Sequence, residues 1–170
     1  MSTPQFSAWG LGREPVIVGM DGSTSAQSAL REAVVLAEAL GRRLEAVCVW
    51  QRSTSMSDSY HLEPGTSPKV VALEAAHAAA RVEFGETWPS WFTVRAVEGG
   101  PAETLVEASE TASHLVVGSR GRGRVGSVFL GSVSLHCASQ AHCPVVVVGP
   151  DALTGEHETR VIDDHPEPTA

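Results

Sequence analysis

Five glycines fall within fourteen residues, at Gly118, Gly121, Gly123, Gly126 and Gly131, and Ser132 follows the last. Glycine lets neighbouring main-chain N–H groups turn toward one point with no Cβ in the way, and such a concave array binds phosphate oxygens. Arg120, Arg122 and Arg124 punctuate the stretch, and no Asp or Glu occurs between Leu115 and Gly149. The whole chain carries a formal net charge of -8. The glycine stretch is therefore a local reversal of sign, and the place where an anionic ligand would sit. A GxxxxGK[ST] loop needs a lysine beside the phosphates, yet the only lysine is Lys69, so that loop and Schiff-base chemistry are both set aside. A second chemically loaded point is Asp21, in Asp21-Gly22-Ser23, directly after an apolar run.

The elements that must carry these residues alternate. Residues 15–20 read as a buried strand. In residues 25–40 the apolar positions 26, 29, 30, 33, 34, 37 and 40 fall on one helical face. Asp21 or Ser23 can cap that helix and Gly41 can end it. A second strand is expected over 44–50, an alanine-rich helix over 68–84 and a third strand over 91–97. Pro101 suits the first turn of a helix over 102–112. A fourth strand over 114–117 runs into the glycine loop. A fourth helix is expected from Gly126 or Ser127 to about Gln140, and a last strand over 144–148. Strict β-α alternation implies an α/β fold: one mostly parallel sheet with helices on both faces and right-handed crossovers. Residues 51–67, rich in Ser, Thr, Pro and Gly, form a long irregular stretch of the kind that is usually functional or mobile.

At 170 residues the chain suits one domain with a core of its own. Residues 1–13 lack periodicity and are expected to be a flexible arm; residues 14–150 form the domain. Residues 151–170 hold six acids against Arg160 and are expected to be an acidic, disordered tail. Runs such as 144–149 are too short to span a bilayer, and the first residues do not follow a secretory layout. Three cysteines without framework spacing fit a cytoplasmic chain, and a pI near 5.3 argues against nucleic acid as partner.

Several residue pairs invite chemistry and are better read otherwise. His136-Cys137 and His142-Cys143 lack zinc spacing, so no metal ligand is assigned. Cys48 suits a strand core, and Trp88 and Trp91 suit packing at a strand entrance. Ser119, Ser127, Ser132 and Ser134 have no His–carboxylate partner in sequence, so no catalytic residue is assigned.

Gly118-x2-Gly121-x9-Gly131-Ser132 resembles the nucleotide-binding pattern of the universal stress protein family. The resemblance extends through residues 16–23, 46–50, Gly100-Pro101 and 142–148, covering about 14–150. It implies a Rossmann-like open sheet of five strands in the order 3-2-1-4-5. That order makes strands 1 and 4 neighbours at a topological switch point, where open α/β sheets bind ligands. By analogy with ATP-binding members, the Asp21 carboxylate and the Val49 backbone hold adenine and ribose, and Gly118 lines the ribose. Backbone N–H groups of Gly121, Gly131, Ser132 and Val133, with the Ser132 and Ser134 hydroxyls, cradle phosphates. Magnesium accompanies ATP, bound mainly by phosphate oxygens and water. The implied role is a nucleotide-dependent stress-response regulator with at most slow hydrolysis. The alternatives are a slow ATP hydrolase and an interaction module binding another nucleotide such as cyclic AMP. Strand 5 lies at an edge in this order, so Val145, Val146, Val147 and Val148 are expected to pair with a second copy in a homodimer.

Overall fold

The computed structural model describes residues 14–52, 67–121 and 130–149. The arm at 1–13, most of the 51–67 stretch, Arg122, Arg124 and the tail at 151–170 lie outside the described residues.

Among the described residues nine elements alternate as expected: β1 (Val16–Met20), α1 (Thr24–Leu40), β2 (Leu44–Trp50), α2 (Pro68–Phe84), β3 (Phe92–Glu98), α3 (Pro101–Ser109), β4 (His114–Gly118), α4 (Ser132–Gln140) and β5 (Val145–Val148). The strands form one sheet in the order β3-β2-β1-β4-β5, and every neighbouring pair is parallel. Alternate residues of each strand serve opposite faces. Val16, Val18 and Met20 of β1 join Leu44, Ala46 and Cys48 of β2 in a core under α1 and α2. Ile17, Val47, Leu115 and Val117 point the other way, toward Leu105 of α3 and Cys137 of α4. The alanine face of α1 (Ala26, Ala29, Ala33 and Ala37) lets that helix lie close, with Leu30 wholly buried. Burying such a leucine stabilises by about 1.5–3 kcal/mol. Gly19 does the same service on the other face, where a Cβ would come within 2.9 Å of Leu105 Cδ1. Phe84, Trp88, Trp91 and Phe92 form an aromatic cluster where α2 returns to β3, with ring centroids 4.7 to 5.9 Å apart.

Local signals explain most boundaries. Ser23 caps α1, accepting the Ala26 N–H at 3.1 Å, and Gly41 ends it in the left-handed region at φ 60°. Two boundaries differ from expectation by more than one residue. α3 stops at Ser109 rather than residue 112, because the next N–H groups bond back three residues instead of four. The Ser109 hydroxyl helps by donating to Val106 O at 2.6 Å and accepting the His142 N–H at 2.8 Å. α4 starts at Ser132 rather than at Gly126 or Ser127. Gly131 is extended (φ -70°, ψ 160°), and its N–H is held by Ser119 O at 2.7 Å, so the helix begins only after it.

Candidate functional site

Two turns meet beyond the carboxyl ends of β1 and β4. In the first, Asp21 Oδ1 accepts the Ser23 N–H at 2.9 Å, folding the carboxylate over the start of α1. In the second, β4 ends at Gly118 and the chain passes through Ser119, Arg120 and Gly121. The Ser23 hydroxyl lies 3.4 Å from Arg120 O, and the Ser25 hydroxyl donates to that same carbonyl. The glycine loop is thereby clasped to the first turn of α1.

Close approach explains two of the glycines. A Cβ on Gly118 would come within 2.7 Å of the Ser25 carbonyl carbon and 2.9 Å of Ala26 N. Only glycine lets β4 end so near α1. A Cβ on Gly121 would come within 2.8 Å of Asp21 Oδ2, so the loop passes directly against the carboxylate. Gly131 is different: a Cβ there meets nothing nearer than 3.5 Å, and its φ is ordinary. Its consequence is at the helix start, since glycine offers no capping oxygen. The N–H groups of Ser132, Val133 and Ser134, the first turn of α4, have no intrahelical acceptor. Together with the helix dipole they form a place for an anion.

A cavity of about 560 Å³ joins these parts, within the range of small-molecule sites. All eight residues singled out from the sequence line it: Asp21, Val49, Gly118, Gly121, Gly131, Ser132, Val133 and Ser134. Arg120 lines it too. Its apolar wall (Val47, Pro101, Leu105 and Val117) was not foreseen, and neither was the Ser25 clasp. The Pro101 turn was visible in sequence only as a helix start, and Ser25 only as a second serine after Asp21.

Gly131 and Ser134 use polar groups inside the protein. The Gly131 N–H is spent on Ser119 O. Ser134 is buried, and its hydroxyl lies 3.1 Å from Ser119 O and 3.0 Å from Gly131 O, so it braces the loop. Ser132 is exposed at the helix tip. Among the described lining residues, Asp21 is the one carboxylate, and no histidine or cysteine is present. Cys137 lies on the buried face of α4; burial pushes its thiol up to about 11. Cys143 and Cys48 are raised as well, chiefly by burial.

Comparison with known proteins gives a consistent picture. The sequence model of the Universal stress protein family matches residues 12–149. A universal stress protein of Thermus aquaticus is 31% identical over 135 residues, which is 78% of this chain and 96% of that protein. One from Mycolicibacterium smegmatis is 34% identical over 139 residues, 81% of this chain but only 46% of that protein. The chain thus spans about half the length of the mycobacterial relatives it matches. A crystal structure of a universal stress protein in complex with cAMP is similar with a TM-score of 0.58 at 26% identity, covering 81% of this chain and 98% of the other. No helix among the described residues is long and apolar enough to cross a membrane.

Proposed function

We propose, from the premise that this chain belongs to the universal stress protein family, that it binds ATP with magnesium in the cavity beyond β1 and β4 and acts as a nucleotide-dependent regulator. The observation that carries this reading is the uncapped start of α4 facing the same cavity as Asp21. The apolar wall around Val49 suits a base, and the Asp21 carboxylate suits the hydroxyls of a ribose. The open N–H groups of Ser132, Val133 and Ser134, with Arg120, suit a polyphosphate. Magnesium fits only as a companion of the phosphates: among the described residues no three His, Cys, Asp or Glu side chains converge, and hard cations accept phosphate oxygens and water.

A cyclic nucleotide is the second reading, supported by the cAMP complex of a relative. The triphosphate is favoured because a cyclic diester presents one phosphate to three helix N–H groups and leaves a single ribose hydroxyl for Asp21. Turnover is slow in this proposal, since among the described lining residues Asp21 is the only group able to act as a base, and it sits at the ribose end. The proposal includes pairing of two copies along β5 and a cytoplasmic setting, where thiols such as Cys137 and Cys143 stay reduced.

Melting the nucleotide-stripped protein with and without Mg-ATP tests the reading. Ligand at about 100 times its dissociation constant adds about 2.7 kcal/mol, which for this size raises the midpoint by roughly 5–10 °C. An unchanged midpoint at millimolar Mg-ATP sinks it, and a larger shift with cAMP than with Mg-ATP moves the assignment to the cyclic nucleotide.

A further inference from the structure

The described chain stops at Gly149, on the rim of the sheet where the cavity opens. In the β4–β5 ladder Val148 sits opposite Gly118, and the Ser119 N–H donates to Val148 O at 2.7 Å. Ser119 O in turn accepts the Gly131 N–H at 2.7 Å. Two consecutive main-chain bonds therefore connect the exit of β5 to the start of α4. The sequence after Gly149 is strongly one-signed: residues 150–170 hold Asp151, Glu156, Glu158, Asp163, Asp164 and Glu167 against Arg160. The sequence before it has the other sign, with three arginines and no acid between Leu115 and Gly149, and Arg120 lines the cavity.

We propose that the acidic segment 151–170 docks on the anion-binding side of the cavity, as an occupant from the same chain that a nucleotide polyphosphate must displace. The displacement rests on the nucleotide reading above; the docking does not. Carboxylates and phosphates answer to the same donors, namely helix N-terminal N–H groups and guanidinium. Reach does not limit the contact, because at roughly 3.3 Å per residue Glu156 extends about 20 Å from Gly149. Tethering supplies the concentration. A short flexible connection gives an effective concentration in the millimolar range, so even a millimolar intrinsic affinity weakens nucleotide binding by roughly two- to tenfold.

The test uses the full-length chain and a full-length variant in which the six acids become amides (D151N, E156Q, E158Q, D163N, D164N, E167Q). Backbone amide spectra are recorded on both nucleotide-stripped chains, and Mg-ATP affinity is measured by calorimetry, at low salt and at about 0.5 M salt. The expected result is that the Gly121, Ser132 and Val133 amides differ between the chains at low salt and converge at high salt, where screening shortens the Debye length to about 4 Å. The variant then binds Mg-ATP roughly two- to tenfold more tightly at low salt only. Coincident amides at low salt overturn the docking, whatever the nucleotide does. Differing amides with equal affinities overturn the displacement. Differing amides in chains that do not bind Mg-ATP leave the docking standing and instead defeat the nucleotide reading.

Discussion

Glycine at three positions of this site answers three different demands. Gly118 is required by a neighbour, since its Cβ would press on the backbone of Ser25 and Ala26. Gly121 faces a side chain, the Asp21 carboxylate, which would have to swing aside for a Cβ there. At Gly131 there is room for a side chain, and what matters is the capping oxygen that glycine withholds. Substitutions separate these causes. Gly118→Ala is expected to cost about 1–3 kcal/mol in urea unfolding, the usual range for an added methylene pressing on packed atoms. Gly131→Asp is expected to leave the nucleotide-free protein as stable as before, or better by a few tenths of a kcal/mol, because aspartate is a good cap. Its carboxylate would take the helix N–H groups, so the same variant should lose the thermal response to Mg-ATP. If Gly131→Asp melted several degrees lower and still responded to nucleotide, the anion reading of that helix start would be wrong.

The elements themselves rest on caps and clasps. Ser23 serves α1 twice, accepting from Ala26 and standing against the Arg120 carbonyl beside Ser25. Ser23→Ala is expected to lower stability by about 1 kcal/mol, a typical loss for an N-cap, and to speed amide exchange at Arg120 and Gly121 as well as in the first turn of α1. Exchange confined to α1 would show that the clasp does not depend on Ser23. Sequence periodicity located every element because each strand and helix has its own apolar rhythm and its own stop signals, such as Gly41. It misplaced the start of α4 because the Gly126-Ser127 pair and the apolar residues after it imitate a cap and a first turn. The true start depends on a bond from Gly131 to Ser119, which no local pattern announces. The strand order was likewise beyond periodicity and came from family resemblance. Asp21 and the glycines stood out as local features, whereas the full set of eight cavity-lining residues, Val49 among them, came from the family resemblance. The Ser25 clasp spans 95 positions, and the apolar wall comes from separate strands and α3, so both needed the fold.

At the scale of the whole molecule, β5 leaves one side of the sheet open. Pro144 and Val148 direct their carbonyls to β4, so Val145 and Val147 turn their main-chain groups outward. Val147→Pro removes an outward N–H while sparing the β4 ladder, a tolerated use of proline at an edge. It is expected to turn a dimer into a monomer in light scattering, with the thermal response to Mg-ATP retained. A native chain already monomeric at micromolar concentration would defeat the pairing along β5. The junction at Ser119 has a bearing on how the molecule withstands change. Its three ties, to Val148, Gly131 and Ser134, all run through the main chain of residue 119. Every amino acid except proline brings that same amide and carbonyl. The hydrogen bonds joining the last strand to the last helix therefore place no demand on the Ser119 hydroxyl; proline would remove the amide they need, and the buried setting of the side chain limits only its size.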